Sequence, residues 1–242
     1  MKVRIKFSKQ GNMKFIGHLD IMRYFQKALK RAGIPIRFTE GFSPHMILSF
    51  ASPLGVGITS SGEYADLELT CETIEKGPFL DALNAQMVEG MEILDVTQIR
   101  EGKGDKAMSL VAAADYTVAF RNQRQLTALQ VDSFLGQEQI QVEKEGKKGT
   151  RLVNIRPFIY QMHLLPDSAS ASDSFFLRLS SGSADNVKPE AVMDALCRFL
   201  SLEAPGRCGL LINRLDLYAL VGSKKGEPDR LVSLNDLGTK LT

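Results

Sequence analysis

Tryptophan is absent from this chain, and cysteine and histidine are scarce, three of each among 242 residues. Without Trp, no Trp-built aromatic cage can form. Cys71, Cys197 and Cys208 are too few and too scattered for a disulfide framework, and no CxxC or CxxxCxxC spacing could hold zinc or an iron–sulfur cluster. They read as reduced thiols, although Cys197 and Cys208 could approach in space. Long apolar runs are missing too: Leu210-Leu211-Ile212 falls far short of the roughly 20 residues of a membrane span. The opening Met1-Lys2-Val3-Arg4 has no apolar signal core, so the expected location is the cytoplasm, with no membrane partner. Leu54-Gly55-Val56-Gly57-Ile58 is glycine-rich but matches neither GxGxxG nor GxxxxGK[ST], and HExxH and GxSxG do not occur. No cofactor and no metal are therefore expected.

What is present is an uneven distribution of charge. Residues 1–50 hold ten Lys/Arg against Asp20 and Glu40, a local balance of +8 in a chain whose total is +2. Positive charge concentrated at one end of a near-neutral protein points to an anionic ligand. Two of the three histidines, His18 and His45, lie in the same stretch.

Hydrophobic periodicity places the elements. Val3-Arg4-Ile5-Lys6-Phe7 alternates with period two and predicts a strand. Leu19 to Ala32 carries Leu19, Met22, Phe25, Ala28, Leu29 and Ala32 at helical spacing, and Gly33 and Pro35 stop it. A strand follows over Ile34 to Phe38, then a turn over Gly41 to His45 and an extended segment Met46 to Phe50 that would continue the same edge. Glu63 to Glu72 alternates strictly, Pro78 to Val88 is helical, and Met91 to Ile99 is again a strand. Strand, helix, strand, strand, helix, strand is the ferredoxin-like order.

The pattern recurs after residue 115: strand Tyr116 to Phe120, helix Gln125 to Leu135, extended pieces Ile140 to Glu145, Arg151 to Ile155 and Phe158 to Leu165, strand Phe175 to Leu179, helix Pro189 to Leu200 and strand Leu210 to Leu217. This copy has one extra extended piece. The expected fold is α+β with tandem ferredoxin-like (βαββαβ) domains at 1–101 and 115–221, a linker at 102–114 and a tail at 222–242. The alternative is a single mixed α+β domain.

On the first helix Arg23, Lys27, Lys30 and Arg31 stand at i, i+4, i+7 and i+8, opposite Met22, Phe25 and Leu29. Such a stripe is either a solvated helix face or a grip for phosphates; its uniform sign favours the grip, because Asp20 is the sole acid between Lys14 and Arg37. His18 follows Gly17 at the helix start, where an imidazole either packs locally or meets an anion beside free helical N–H groups. In Gly41-Phe42-Ser43-Pro44-His45 a stiff turn would present Ser43 and His45 at a defined point. Arg37 adds a cation before that turn and Phe42 an aromatic ring within it. His163 has no evident partner in the sequence.

Phe15-Ile16-Gly17-His18-Leu19-Asp20, Arg31-Ala32-Gly33-Ile34-Pro35, Gly41-Phe42-Ser43-Pro44-His45 and Pro53-Leu54-Gly55-Val56-Gly57 followed by Glu63 together resemble the radical-SAM-linked protein family, a bacterial group of unassigned function. After residue 115 the best match is Asn154-Ile155-Arg156-Pro157. The resemblance implies association with a separate radical S-adenosylmethionine enzyme; this chain lacks the cluster-binding cysteines and is not that enzyme. The leading expectation is an RNA-binding accessory protein presenting tRNA or rRNA to that partner, with Arg23, Lys27, Lys30, Arg31 and Arg37 on phosphates and Phe42 and Ser43 beside them. A second is metal-independent RNA cleavage with His18 and His45 as acid and base. A third is a protein-interaction adaptor that binds no RNA.

Overall fold

The computed structural model describes residues 1–100, 106–122, 124–146, 149–165, 173–182, 185–206, 208–222 and 229–241. The chain divides into two compact units, Met1–Ala112 with Leu215–Thr242, and Ala113–Arg214. Each is mixed α+β, with helices against a mostly antiparallel sheet.

The first unit begins with β1 (Lys2–Lys9), whose Val3, Ile5 and Phe7 are buried on one face. A 3₁₀ turn (Gly11–Phe15) leads to α1 (His18–Arg31), which buries Ile21, Phe25, Ala28 and Leu29 at i, i+4, i+7 and i+8. Leu19, expected on the inner face, is 61% exposed because it stands about 160° around the helix from the buried Ile21 at 100° per residue. After α1 come β2 (Leu48–Phe50), β3 (Thr59–Glu68), α2 (Lys76–Asn84) and β4 (Met91–Ile99). Their neighbour order is β4-β1-β3 with β2 along β3, every pair antiparallel. Both helices share one core with the Val3, Ile5, Phe7, Leu67 and Ile93 face of this sheet.

Two expectations differ here. Ile34 to Phe38 forms isolated bridges, Ile36 to Leu69 and Phe38 to Met46, in place of a strand. Pro35 has no N–H to give a ladder, and Ile36 N bonds back to Ile34 O at 2.8 Å in a tight turn. β3 starts at Thr59, earlier than Glu63, because the small polar run Thr59-Ser60-Ser61-Gly62 is held extended by neighbouring backbone rather than by any apolar alternation. A Cβ on Gly62 would lie 2.3 Å from the Leu215 carbonyl oxygen, so glycine permits that approach.

Within 102–114, read as a linker, residues 101–105 lie outside the described set; α3 (Ala107–Leu110) and the start of β5 (Val111–Phe120) occupy the rest. The second unit continues with α4 (Ala128–Leu135), β6 (Gln141–Gly146), β7 (Gly149–Asn154), β8 (Ile159–Leu164), β9 (Ser174–Ser180), α5 (Pro189–Phe199) and the first half of β10 (Leu210–Val221). Its neighbour order is β10-β5-β9-β8. The surplus extended piece is explained: β6 pairs with β7 in a separate hairpin, and a 3₁₀ turn (Arg156–Phe158) around Pro157 carries the chain back to the sheet. Residues 166–172, between β8 and β9, lie outside the described residues. Cys197 is buried and Cys208 exposed, both free.

The stretch 222–242, read as a tail, adds β11 (Arg230–Ser233) on the second half of β10, a 3₁₀ turn (Leu234–Leu237), and β12 (Thr239–Lys240) on β4. It seals a polar centre. The Tyr64 hydroxyl, on a side chain 1% exposed, donates to Asp216, whose carboxylate also accepts from Lys6 Nζ at 3.1 Å, Ser233 Oγ at 3.0 Å and Leu217 N at 2.9 Å. Burial first, and then the Asp216 charge, push the Tyr64 phenol well above its ordinary value. The folded pKa being raised, the stabilisation is complete below the unfolded pKa of about 10 and is lost as pH rises above it. The expected slope is about 1.4 kcal/mol per pH unit beyond pH 10. Urea midpoints at pH 9 to 11 for the wild type and Tyr64→Phe check this, since the variant lacks that part of the slope.

Among the described residues, no helix is long and apolar enough to cross a membrane.

Candidate functional site

The outer face of α1 is the first half of the site. Arg23, Lys27, Lys30 and Arg31 are all exposed, as the helical spacing requires once Phe25 and Leu29 turn inward. Their engagement differs. Arg23 meets Asp20 at 3.2 Å with both side chains about two-thirds exposed, a screened contact worth about 0–1 kcal/mol. Arg31 is tied to Gln86, Nε to Oε1 and a terminal nitrogen to the backbone carbonyl, each at 3.2 Å. Lys27 and Lys30 have no hydrogen-bond or ion-pair partner among the described residues. Lys30 and Arg31 also sit in the last turn, where the helix dipole favours cations. Arg37, off the helix, is paired with Glu68 at 2.8 Å.

The second half is the 39–45 loop. Thr39 N bonds to His45 O at 2.9 Å, His45 N to Thr39 Oγ1 at 3.1 Å, and Thr39 Oγ1 lies 3.1 Å from His45 Nδ1. These contacts close the loop at its neck. Gly41, at φ 112°, makes the reversal that other residues resist. Phe42 and Ser43 are exposed at the tip, the Phe42 ring wholly so. The loop backs onto a cavity of about 200 Å³. Its lining is mainly apolar and includes Ile47 and Ile99, Thr39 and His45 line one side, and Leu48 and Leu67 pair on the core face of the sheet. Lys2, Arg100 and Lys106 stand around it. The acids there are already engaged: Asp66 by Arg4, Glu68 by Arg37 at 2.8 Å and Lys2 at 3.9 Å. Arg100 and Lys106 have no partner among the described residues.

His18 is half-buried at the start of α1, its ring edge-on to Phe50 at 5.4 Å. His45, by contrast, closes the neck of the 39–45 loop through Thr39. His163, in the second unit, stacks on Phe176 at 5.0 Å.

Sequence reasoning missed Lys2, Thr39, Arg100 and Lys106. Lys2 stands opposite Glu68 and Ile99 across the sheet, a register invisible in the linear chain. It also missed the solvent-facing cluster before α1, where Phe15 and Leu19 are each 61% exposed and Lys14 Nζ lies 5.1 Å from the Phe15 ring.

Residues 2–189 match the family model DUF2344, described as an uncharacterized protein conserved in bacteria. The chain belongs to that family. No curated protein matches it. Among solved structures, a chain of a Cbf5-Nop10-Gar1 complex aligns with a TM-score of 0.48 and 10% identity, over 89% of this chain and 48% of the other. A chain of an H/ACA RNP bound to a substrate RNA containing 2′-deoxyuridine aligns at 0.43 and 11%, over 88% and 46%. An unknown protein from Galdieria sulphuraria aligns at 0.25 and 12%, over 91% and 98%. The chain thus spans about half the length of the first two. Likeness at this level carries no inference about activity.

Proposed function

We propose that this DUF2344 member is an RNA-binding accessory protein that grips the phosphate backbone with the outer face of α1. The observation that carries the reading is the pair Lys27 and Lys30, exposed and without partners among the described residues on a helix face whose only acid is Asp20. A face kept for solvation alone would be expected to mix signs, as i,i+4 pairing favours. Arg23 can exchange its weak contact for a phosphate, and Arg31, braced by Gln86, stiffens that end of the row. The neighbour orders β4-β1-β3-β2 and β10-β5-β9-β8 support reading the two units as tandem ferredoxin-like domains. Partnership with a radical S-adenosylmethionine enzyme, and tRNA or rRNA as the substrate, complete the reading and rest on the motif resemblance.

The test is salt-dependent binding of the full chain to single-stranded RNA. Each lost phosphate contact removes about 0.7 from the slope of log K against log salt, so Lys27→Glu/Lys30→Glu should flatten it by about 1.4. Urea stability should stay within about 0.5 kcal/mol, since neither side chain touches the core. An unchanged slope overturns the reading, and purification of a tight protein partner without RNA affinity would favour the adaptor.

A further inference from the structure

We infer that the cavity behind the 39–45 loop is a subsite for one unstacked base of a bound RNA strand, with the flanking phosphates held by Lys2, Arg100 and Lys106. This rests on the RNA-binding reading and names what part of the RNA the loop takes.

Three features select that occupant. The first is size. A volume of about 200 Å³ is below the roughly 300–1,000 Å³ of sites that enclose a drug-sized ligand, so the cavity holds one flat group and leaves the rest of the molecule outside. The second is the combination of an apolar floor with a cationic edge. Ile47 and Ile99 offer apolar surface for a ring. Arg100 and Lys106 are unpaired among the described residues, while Asp66 and Glu68 are neutralised by protein cations. The net demand at the edge is therefore for an anion joined to the ring, as a base is joined through its sugar to phosphate.

The third feature is a hydrogen-bonding side wall. Thr39 Oγ1 accepts the His45 backbone N–H at 3.1 Å and lies 3.1 Å from His45 Nδ1, which is also 3.5 Å from Ser43 O. With Nδ1 engaged inside the loop, Nε2 is the ring nitrogen left to hydrogen-bond a base edge. Enzymes and binders that splay out single bases read them in this way, between apolar surfaces and with a few polar groups. Because the loop is closed at its neck, the wall is in place before the RNA arrives, and ordering it adds little to the cost of binding.

The experiment is photocrosslinking of the full chain to single-stranded RNA carrying 4-thiouridine, with crosslinked peptides mapped by mass spectrometry and overall affinity measured in parallel. Crosslinks are expected in the segments 44–49, 66–69 or 98–100. Arg100→Glu/Lys106→Glu should cut their yield about tenfold. Ile47→Phe, which fills the floor, should do the same while leaving the salt slope set by α1 unchanged. Salt-sensitive RNA binding with crosslinks confined to α1 or to the second unit overturns the subsite and leaves the RNA-binding reading standing. Absence of RNA binding at low salt overturns both. Crosslinks in the cavity that survive both variants overturn the assignment of these residues to the subsite.

Discussion

Replacing Arg4 with alanine should lower the unfolding free energy of the first unit by about 3–5 kcal/mol, a large share of the 5–15 kcal/mol typical of a domain. The guanidinium is 1% exposed, and it holds Asp66 bidentately, Nε to Oδ1 at 2.7 Å and a terminal nitrogen to Oδ2 at 3.1 Å. Its third contact is the Leu234 carbonyl at 3.2 Å, and Asp66 Oδ2 also accepts from Ala107 N at 2.7 Å. One ion pair thus joins β1 and β3 to α3 and to the 3₁₀ turn over Leu234–Leu237. Removing Arg4 alone leaves a carboxylate half-solvated at best, with its counter-charge gone. Removing both charges is different. Arg4→Met/Asp66→Leu takes away the desolvation cost together with the attraction, and buried pairs exchanged in this way are often neutral. Urea denaturation followed by circular dichroism should show the double variant recovering most of the loss, with the Ala107 amide and the Leu234 carbonyl losing these partners. If Arg4→Ala costs less than about 1 kcal/mol, the pair is not the tie described.

This tie was not legible in the sequence, and the reason applies to much of the site. Arg4 alternates with Val3 and Ile5, and period two says only that it faces away from the helices. What covers that face comes from residues 234–237, more than two hundred positions away. Local patterns were legible where local physics decides. α1 and β4 were predicted within a residue of their bounds, although the alternation of β4 shifts at a bulge after Ile93. Ile34 to Phe38 looked like a strand by composition, but Pro35 removed a donor the ladder needs. Thr59 to Gly62 showed no strand pattern and is extended because neighbouring backbone binds it.

The same division runs through the candidate site. The α1 stripe is an i, i+4, i+7, i+8 relation and survives folding unchanged. Which of its cations stay free is not a local matter: Gln86 holds Arg31 and Glu68 holds Arg37, while Lys27 and Lys30 have no such partner. The cavity edge is assembled from Lys2, Arg100 and Lys106: the β1–β4 register sets Lys2 opposite Ile99, next to Arg100, and Lys106 comes from the start of α3.

Phe25→Ala should be as costly as Arg4→Ala, about 3–5 kcal/mol, and it tests whether the two faces of α1 are independent. The Phe25 ring is fully buried among Phe7 at 4.8 Å, Phe50 at 5.4 Å and Tyr24 at 6.0 Å. Phe50 in turn supports His18 at 5.4 Å and meets Phe7 at 5.9 Å. Truncation leaves a cavity among three rings that cannot collapse without moving α1, so both the transfer and the cavity contributions apply. Phe25→Leu keeps most of the volume and should cost no more than about 1.5 kcal/mol. Because Lys27 and Lys30 lie on the opposite face, RNA affinity per folded molecule should change less than about twofold in Phe25→Leu, measured at a temperature where both proteins are fully folded. The His18 resonances should shift in the same variant, since its seat on Phe50 is repacked. A tenfold loss of affinity beside an intact fold would mean that the seating of α1, and not only its charge, sets the grip on RNA.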